Sequence, residues 1–171
     1  MMAAMAQKLD FAAGDYVVYP AHGVGRIEGI ETLKISEQQI SLYTVCFEKD
    51  RMRLKVPVDK AHNSGLRRLS SKERIKAAME TIQAKSKSRR SVMWSRRAQE
   101  YEMKINSGDP VSIAEVLRDL KRSPEQSEQS YSERQIFQSA LERLARELAA
   151  VEKIDEAKAA SQLEAALSAT A

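Results

Sequence analysis

The chain has 171 residues, enough for one mid-sized domain or two small ones. Hydrophobic residues form 43% of it, too many for a disordered chain, and no apolar run approaches the roughly 18 residues that a membrane span needs. The single cysteine, Cys46, excludes an internal disulfide framework and fits a reducing compartment, and the formal net charge of +4 is small.

Composition and charge divide the chain into segments. Residues 1–66 hold five of the six glycines and carry 8 basic and 8 acidic side chains. Residues 67–104 carry 12 basic and 4 acidic side chains, a net charge of +8, and residues 105–171 carry 8 and 12, a net charge of −4. We predict a flexible N-terminus over 1–10 without a signal-peptide pattern, a β domain over 11–66 and an α domain over 67–171.

Residues 14–58 show the pattern of short strands. Tyr16–Tyr19 predicts a strand that ends at Pro20, and residues 24–33 and 40–47 predict two more. Residues 51–58 alternate as a half-buried strand does, with apolar side chains on one face and Arg51, Arg53 and Lys55 on the other. Four or five such strands predict a small, strongly bent sheet or an open barrel.

The rest of the chain has helical periodicity. The sequence Ser70-Ser71-Lys72-Glu73 predicts a capped helix start, and Ser91 predicts the cap of a second helix with the stripe Trp94, Ala98, Tyr101 and Ile105. Further starts are predicted at Asp109-Pro110, at a capping box of Ser132 with Gln135, and at Asp155. The fold class is therefore α+β, a small β domain followed by a compact bundle of about five helices.

No residue pattern indicates an enzyme. The glycines at 23, 25 and 29 precede strand-like residues, where a phosphate-binding loop needs a helix N-terminus. His22 has no recognisable nucleophile beside it, and Cys46 is typical of an inert thiol in a sheet. With His62 the only other nitrogen ligand candidate, we expect no metal site and no cofactor.

The basic middle segment indicates contact with a polyanion. Six cations lie within thirteen residues and surround a single tryptophan, Trp94; they are Lys85, Lys87, Arg89, Arg90, Arg96 and Arg97. An indole there could stack on a base or wedge into a minor groove. The spacing alone favours a core tryptophan, because Trp94 shares its stripe with Tyr101 and Ile105.

Such a patch gives modest, salt-sensitive DNA affinity, so the module needs a second anchor to act at a defined place. The candidate is the β domain, whose basic face of Arg51, Arg53 and Lys55 can meet an acidic surface. A free sheet edge can also pair with a strand of another protein.

Two separated motifs resemble one family. Residues 14–25, GDYVVYPAHGVG, closely resemble the opening of the CarD/CdnL family of bacterial transcription regulators, a domain that also occurs in the transcription-repair coupling factor. Residues 94–97 (WSRR), 107–109 (SGD) and 114–120 (AEVLRDL) resemble the helical domain specific to CarD. The likeness extends over most of the chain.

The resemblance implies a Tudor-like N-terminal domain that docks on the β subunit of RNA polymerase. It also implies a helical domain that contacts promoter DNA at the upstream edge of the bubble and stabilises the open complex, without strong sequence specificity. By position, Trp94 is the minor-groove wedge, Arg96 and Arg97 are nearby DNA-contacting cations, and Lys55 faces the polymerase. We extend the DNA-binding set to Lys87, Arg89 and Arg90, and the polymerase-binding set to Arg51 and Arg53.

The sequence departs from the family at two places. Ala98-Gln99 stands where some relatives have an aromatic residue and a lysine, and Leu33 stands at an expected basic, polymerase-facing position. We expect a cytoplasmic monomer that joins the nucleoid through RNA polymerase and has neither a membrane nor a small-molecule partner. Two alternatives stay open, namely a stand-alone nucleic-acid-binding module and a structural adaptor without polymerase binding.

Overall fold

The computed structural model describes residues 11–61, 63–85, 93–121 and 129–168. Contacts divide the chain into two compact units between Leu69 and Ser70. The predicted flexible N-terminus at 1–10 lies outside the described residues, as does the predicted cap Ser91. In the described part of the chain, no helix is long and apolar enough to span a membrane.

The first unit is an open antiparallel sheet of five strands in the order β4-β3-β2-β1-β5. The strands are β1 (Tyr16–Tyr19), β2 (Gly23–Ile35), β3 (Gln38–Phe47), β4 (Met52–Pro57) and β5 (Arg67–Arg68). A 3-10 turn, Glu48–Asp50, joins β3 to β4, and the short helix α1, Val58–Ala61, follows β4. The predicted strand over 51–58 is therefore shorter at both ends.

One face of the sheet forms the core of this unit. Val17, Ile27, Val45 and Phe47 are almost fully buried there, and Phe11 packs edge-on against Tyr43 with ring centroids 5.4 Å apart. The register shifts between Ile27 and Gly29, which is a bulge in β2. The alternation predicted from the sequence is thus confirmed as one buried and one solvated face.

Gly25 shows why glycine is needed inside β2. A Cβ at this position would lie 2.7 Å from Cγ1 of Val45 and 2.8 Å from Cε1 of Phe47. The absence of a side chain lets two large core residues occupy that space. Gly25 is therefore a packing residue, and the strand around it is not a phosphate-binding loop.

The second unit has five helices among its described residues. They are α2 (Lys72–Gln83), α3 (Trp94–Asn106), α4 (Pro110–Leu120), α5 (Tyr131–Glu152) and α6 (Glu156–Ser168). Their apolar stripes meet in one core, in which Ile82, Leu117, Leu120 and Leu163 are fully buried. The predicted α+β architecture, a Tudor-like open sheet followed by a helical bundle, is confirmed.

Three of the predicted helix caps are present. The hydroxyl of Ser71 accepts a hydrogen bond from the Arg74 amide, and the carboxylates of Asp109 and Asp155 cap α4 and α6. The predicted box of Ser132 with Gln135 is wrong. Ser130 caps α5 instead, accepting from the amide of Glu133, because residues 130–133 form an earlier box of the same type.

Candidate functional site

The first candidate surface lies where α3 begins. Met93 is in the N-cap position with φ −53° and ψ 138°, and its carbonyl accepts from the amides of Arg96 and Arg97, each at 3.1 Å. Within the described residues, no side chain caps this helix end. The positive end of the helix dipole lies at these first amides, beside Trp94, the first residue of α3.

Trp94 is half-buried and packs against the core of the bundle. Its indole is tilted by 51° to the Tyr101 ring, with the ring centroids 6.2 Å apart. Trp94 therefore contributes to the core without being enclosed by it, and part of the residue stays accessible to solvent.

Arg97 packs against both of these rings, to one side of the line that joins them. Its Cζ atom is 5.4 Å from the centroid of Trp94 and 5.8 Å from that of Tyr101, and its Nη2 donates to the Tyr101 hydroxyl at 3.3 Å. The Arg97 residue is only 9% exposed. The structure therefore places Arg97 in a buried stack, and not on the solvent face expected of a cation that contacts DNA.

The open part of the surface has another composition. Arg96 is exposed, and so is Met93, which is 75% accessible to solvent. Lys85, which follows α2, is exposed as well. Sequence reasoning missed Met93, although an apolar residue directly before Trp94 and inside a basic segment was a usable signal. The predicted cations Lys87, Arg89 and Arg90 lie outside the described residues.

Helix α4 supports α3 through charged contacts. Arg118 is buried and its guanidinium donates to both oxygens of the equally buried Asp119, at 2.9 and 3.3 Å. The hydrogen bonds to Asp119 raise the pKa of Arg118, so the cation is held in its charged form. Lys104 of α3 and Arg118 of α4 both approach Glu115, at 3.6 and 3.8 Å.

Asp109 and Lys121 hold both ends of α4 against α2. The carboxylate of Asp109 accepts two short bonds from Nη2 of Arg74, each 2.8 Å long. Burial alone would raise the pKa of Asp109, but the hydrogen bonds from Arg74 and Ser112, with the Arg74 charge, lower it overall. Nζ of Lys121 donates to the carbonyls of Ile82 and Ala84 at the C-terminal end of α2.

The second candidate surface is the outer face of the sheet around β4. Arg53 forms an ion pair with Glu28 at 3.0 Å, and Lys55 forms one with Glu31 at 2.9 Å. Both cations remain more than half exposed, and β4 is an edge strand in the described sheet. Arg51 is exposed but precedes β4 in a left-handed conformation, so it does not continue the row of Arg53 and Lys55.

Apolar side chains continue this face beyond the cations. Leu33 pairs with Ile40 across the β2–β3 hairpin, and Glu31 pairs with Leu42, so these residues share a face with Lys55. Leu33 and Ile35 are 42% and 55% exposed. This surface therefore combines exposed apolar side chains with cations that are paired with carboxylates.

The remaining candidate side chains have structural roles. The ring of His22 stacks on Tyr19 at 5.6 Å and lies 5.5 Å from Phe47, as expected of a histidine in a turn. Burial, with the hydrogen bond and charge of Glu28, raises the pKa of the Cys46 thiol. A raised pKa lowers the fraction of thiolate, so Cys46 is a poor nucleophile.

Comparison with known proteins covers both units. The family model described as "CarD-like/TRCF RID domain" matches residues 11–70, and that described as "CarD, C-terminal domain" matches residues 77–164. The chain is 32% identical to "Putative transcription factor YdeB" of Bacillus subtilis (strain 168) over 146 residues, which is 85% of this chain and 95% of that protein. It is also similar to a solved structure, CdnLNt from Myxococcus xanthus, at 37% identity over 36% of this chain and 87% of that one, with a TM-score of 0.31.

Proposed function

Because this chain belongs to the CarD/CdnL family of transcription regulators, we propose that it binds the β subunit of RNA polymerase and promoter DNA together. In this proposal it stabilises the open complex from the upstream edge of the bubble. The observation that carries the DNA half is the surface at the start of α3, where a half-buried indole stands between an exposed cation and an exposed apolar side chain. We call Met93, Trp94 and Arg96 the α3 surface.

The α3 surface has the parts that a minor-groove contact needs. Arg96 supplies an exposed positive charge, and the start of α3 adds the partial charge of its amides, so both attract a phosphate. Trp94 supplies an apolar wedge, the type of side chain that enters between base steps at a distorted groove. None of these contacts depends on base identity, so binding follows the shape of the DNA.

A preference for melted DNA is sufficient for the proposed effect. A protein that binds the open promoter more tightly than the closed one shifts the equilibrium by the difference in its two binding free energies. The wedge supplies that difference, because a step at the edge of a bubble is already partly unstacked and costs less to open.

The β4 surface, comprising Arg53, Lys55 and the exposed hairpin residues Leu33 and Ile35, is the proposed polymerase contact. An edge strand can add a strand of the partner to its own sheet, with side chains beside it setting specificity. The ion pairs with Glu28 and Glu31 hold Arg53 and Lys55 in place but also lower the net charge of the surface. Apolar contact by the hairpin residues compensates for that lowered charge.

A two-part experiment tests the proposal. The purified protein is used to pull down polymerase and the isolated β subunit, and the lifetime of open complexes under competitor challenge is then measured with and without it. We expect capture of the β subunit and a longer lifetime. DNA binding without polymerase capture would indicate a stand-alone nucleic-acid module, and neither binding would indicate a structural adaptor; both results contradict the proposal.

A further inference from the structure

We infer that Arg97 is a positioning residue for Trp94, one that fixes the orientation of the indole and does not itself contact DNA. The inference rests on the proposed function, since it concerns how the wedge is presented. Because Arg97 is adjacent to Arg96 in sequence, the alternative assignment is that both arginines bind phosphate.

The helix geometry brings the three side chains together. Trp94, Arg97 and Tyr101 are spaced three and four residues apart, which places them on one face of α3 in successive turns. The guanidinium of Arg97 therefore lies over both aromatic rings, at 5.4 and 5.8 Å from their centroids, and its Nη2 reaches the Tyr101 hydroxyl. A planar cation attracts the negative face of an aromatic ring, and arginine stacks on such rings better than lysine does.

Burial separates the roles of the two arginines. Arg97 is 9% exposed, so a phosphate contact would require its guanidinium to leave the stack, whereas Arg96 is exposed and needs no rearrangement. Trp94 in turn is not fully enclosed by the core, so Arg97 supplies one of the surfaces that restrict its rotamers. An indole that is already oriented loses less conformational entropy when it enters DNA.

The test uses the fact that Trp94 is the only tryptophan, so its fluorescence reports on this site alone. Four full-length variants are compared with the parent protein, namely Arg97→Lys, Arg97→Leu, Arg96→Lys and Arg96→Leu. The readouts are the time-resolved anisotropy of Trp94 in the free protein and the salt dependence of binding to a polymerase–promoter complex.

We expect both Arg97 variants to increase the local motion of the indole and to shorten open-complex lifetime several-fold, with no change in the salt slope. The Arg97→Lys variant keeps the charge, so its failure to restore function is the signature of a stacking role. We expect Arg96→Leu to leave the indole anisotropy unchanged and to reduce the salt slope by about 0.9, the amount for one phosphate contact, and Arg96→Lys to restore it.

A different pattern would overturn the inference. If Arg97→Lys behaves as the parent protein does, or if Arg97→Leu lowers the salt slope without changing anisotropy, Arg97 is a phosphate contact. Should Arg97→Leu fail to fold, judged by circular dichroism, the Arg97→Lys result decides alone. A mobile indole in the Arg97 variants, combined with no effect of Trp94→Ala on open complexes, would refute the wedge role of Trp94 in the proposed function and leave intact the role of Arg97 in orienting the indole.

Discussion

Replacing Trp94 with alanine measures the wedge directly. Stacking of a base on an aromatic side chain contributes about 1–3 kcal/mol. Because the indole is half-buried against its own bundle, only part of its surface is available to DNA, so we take the lower part of this range, about 1–2 kcal/mol. This free energy corresponds to a roughly 5- to 30-fold shorter lifetime of the open complex, since 1.4 kcal/mol is a factor of ten.

The assay must separate this effect from loss of stability. A fully buried tryptophan costs about 3–5 kcal/mol when truncated to alanine, and a half-buried one on the edge of a core about half as much. Lifetimes are therefore measured well below the melting temperature of the variant, with Trp94→Phe as a control that keeps an aromatic ring beside Arg97. Capture of the β subunit should be unchanged in both variants.

One result would refute the argument about the wedge. If folded Trp94→Ala protein binds polymerase normally and extends open-complex lifetime as much as the parent protein does, then Trp94 is only a core residue. The exposed part of the α3 surface would then act through Arg96 and Met93 without an inserted ring.

Three further variants test the other structural arguments. Charge reversal at Lys55 should weaken capture of the β subunit, and the control is reversal of Lys34 on the opposite face of the hairpin. Normal capture by the Lys55 variant, or equal weakening in the Lys34 variant, would contradict the assignment of the β4 surface. Asp109→Asn keeps a capping side chain but loses the ion pair to α2, so denaturant titration at pH 7 should show a loss of about 0.5–1 kcal/mol. The folded pKa of Asp109 lies below the unfolded value of 3.8, so this contribution to the free energy of unfolding is present above pH 3.8 and is lost as the pH falls through the folded pKa. If the free energy of unfolding falls equally with acid in Asp109→Asn and in the unmodified protein, the contribution is absent. Gly25→Ala should lower the free energy of unfolding by about 1–3 kcal/mol through overpacking. Gly29→Ala should lower it much less, because no atom lies within 4 Å of the added Cβ. Similar melting temperatures for the two variants would show that Val45 and Phe47 move aside at little cost.

Much of the fold could be predicted because local signals agreed with the tertiary structure. Asp109-Pro110 and Asp155 mark helix starts by the chemistry of their own side chains, and the alternation around β4 follows from burial of one face. The start of α5 was misplaced because two serines, Ser130 and Ser132, each have a glutamate or glutamine three residues later. Local sequence cannot choose between two such boxes, and the residues by which the observed helix is longer, Tyr131 and Ser132, are exposed, so the apolar pattern does not mark its start.

The candidate site was harder to predict, because the role of each arginine depends on which way its side chain points from α3. Arg96 and Arg97 have the same charge and are adjacent in sequence, but successive residues in an α-helix point about 100° apart. Because of that rotation, Arg96 lies in solvent and Arg97 packs against the ring of Trp94. The stripe of Trp94, Tyr101 and Ile105 already defined the inward face, and Arg97 falls on it, three residues after Trp94 and four before Tyr101. A charged residue at that spacing between two aromatic residues is therefore better interpreted as a stacking partner than as part of the surrounding basic segment.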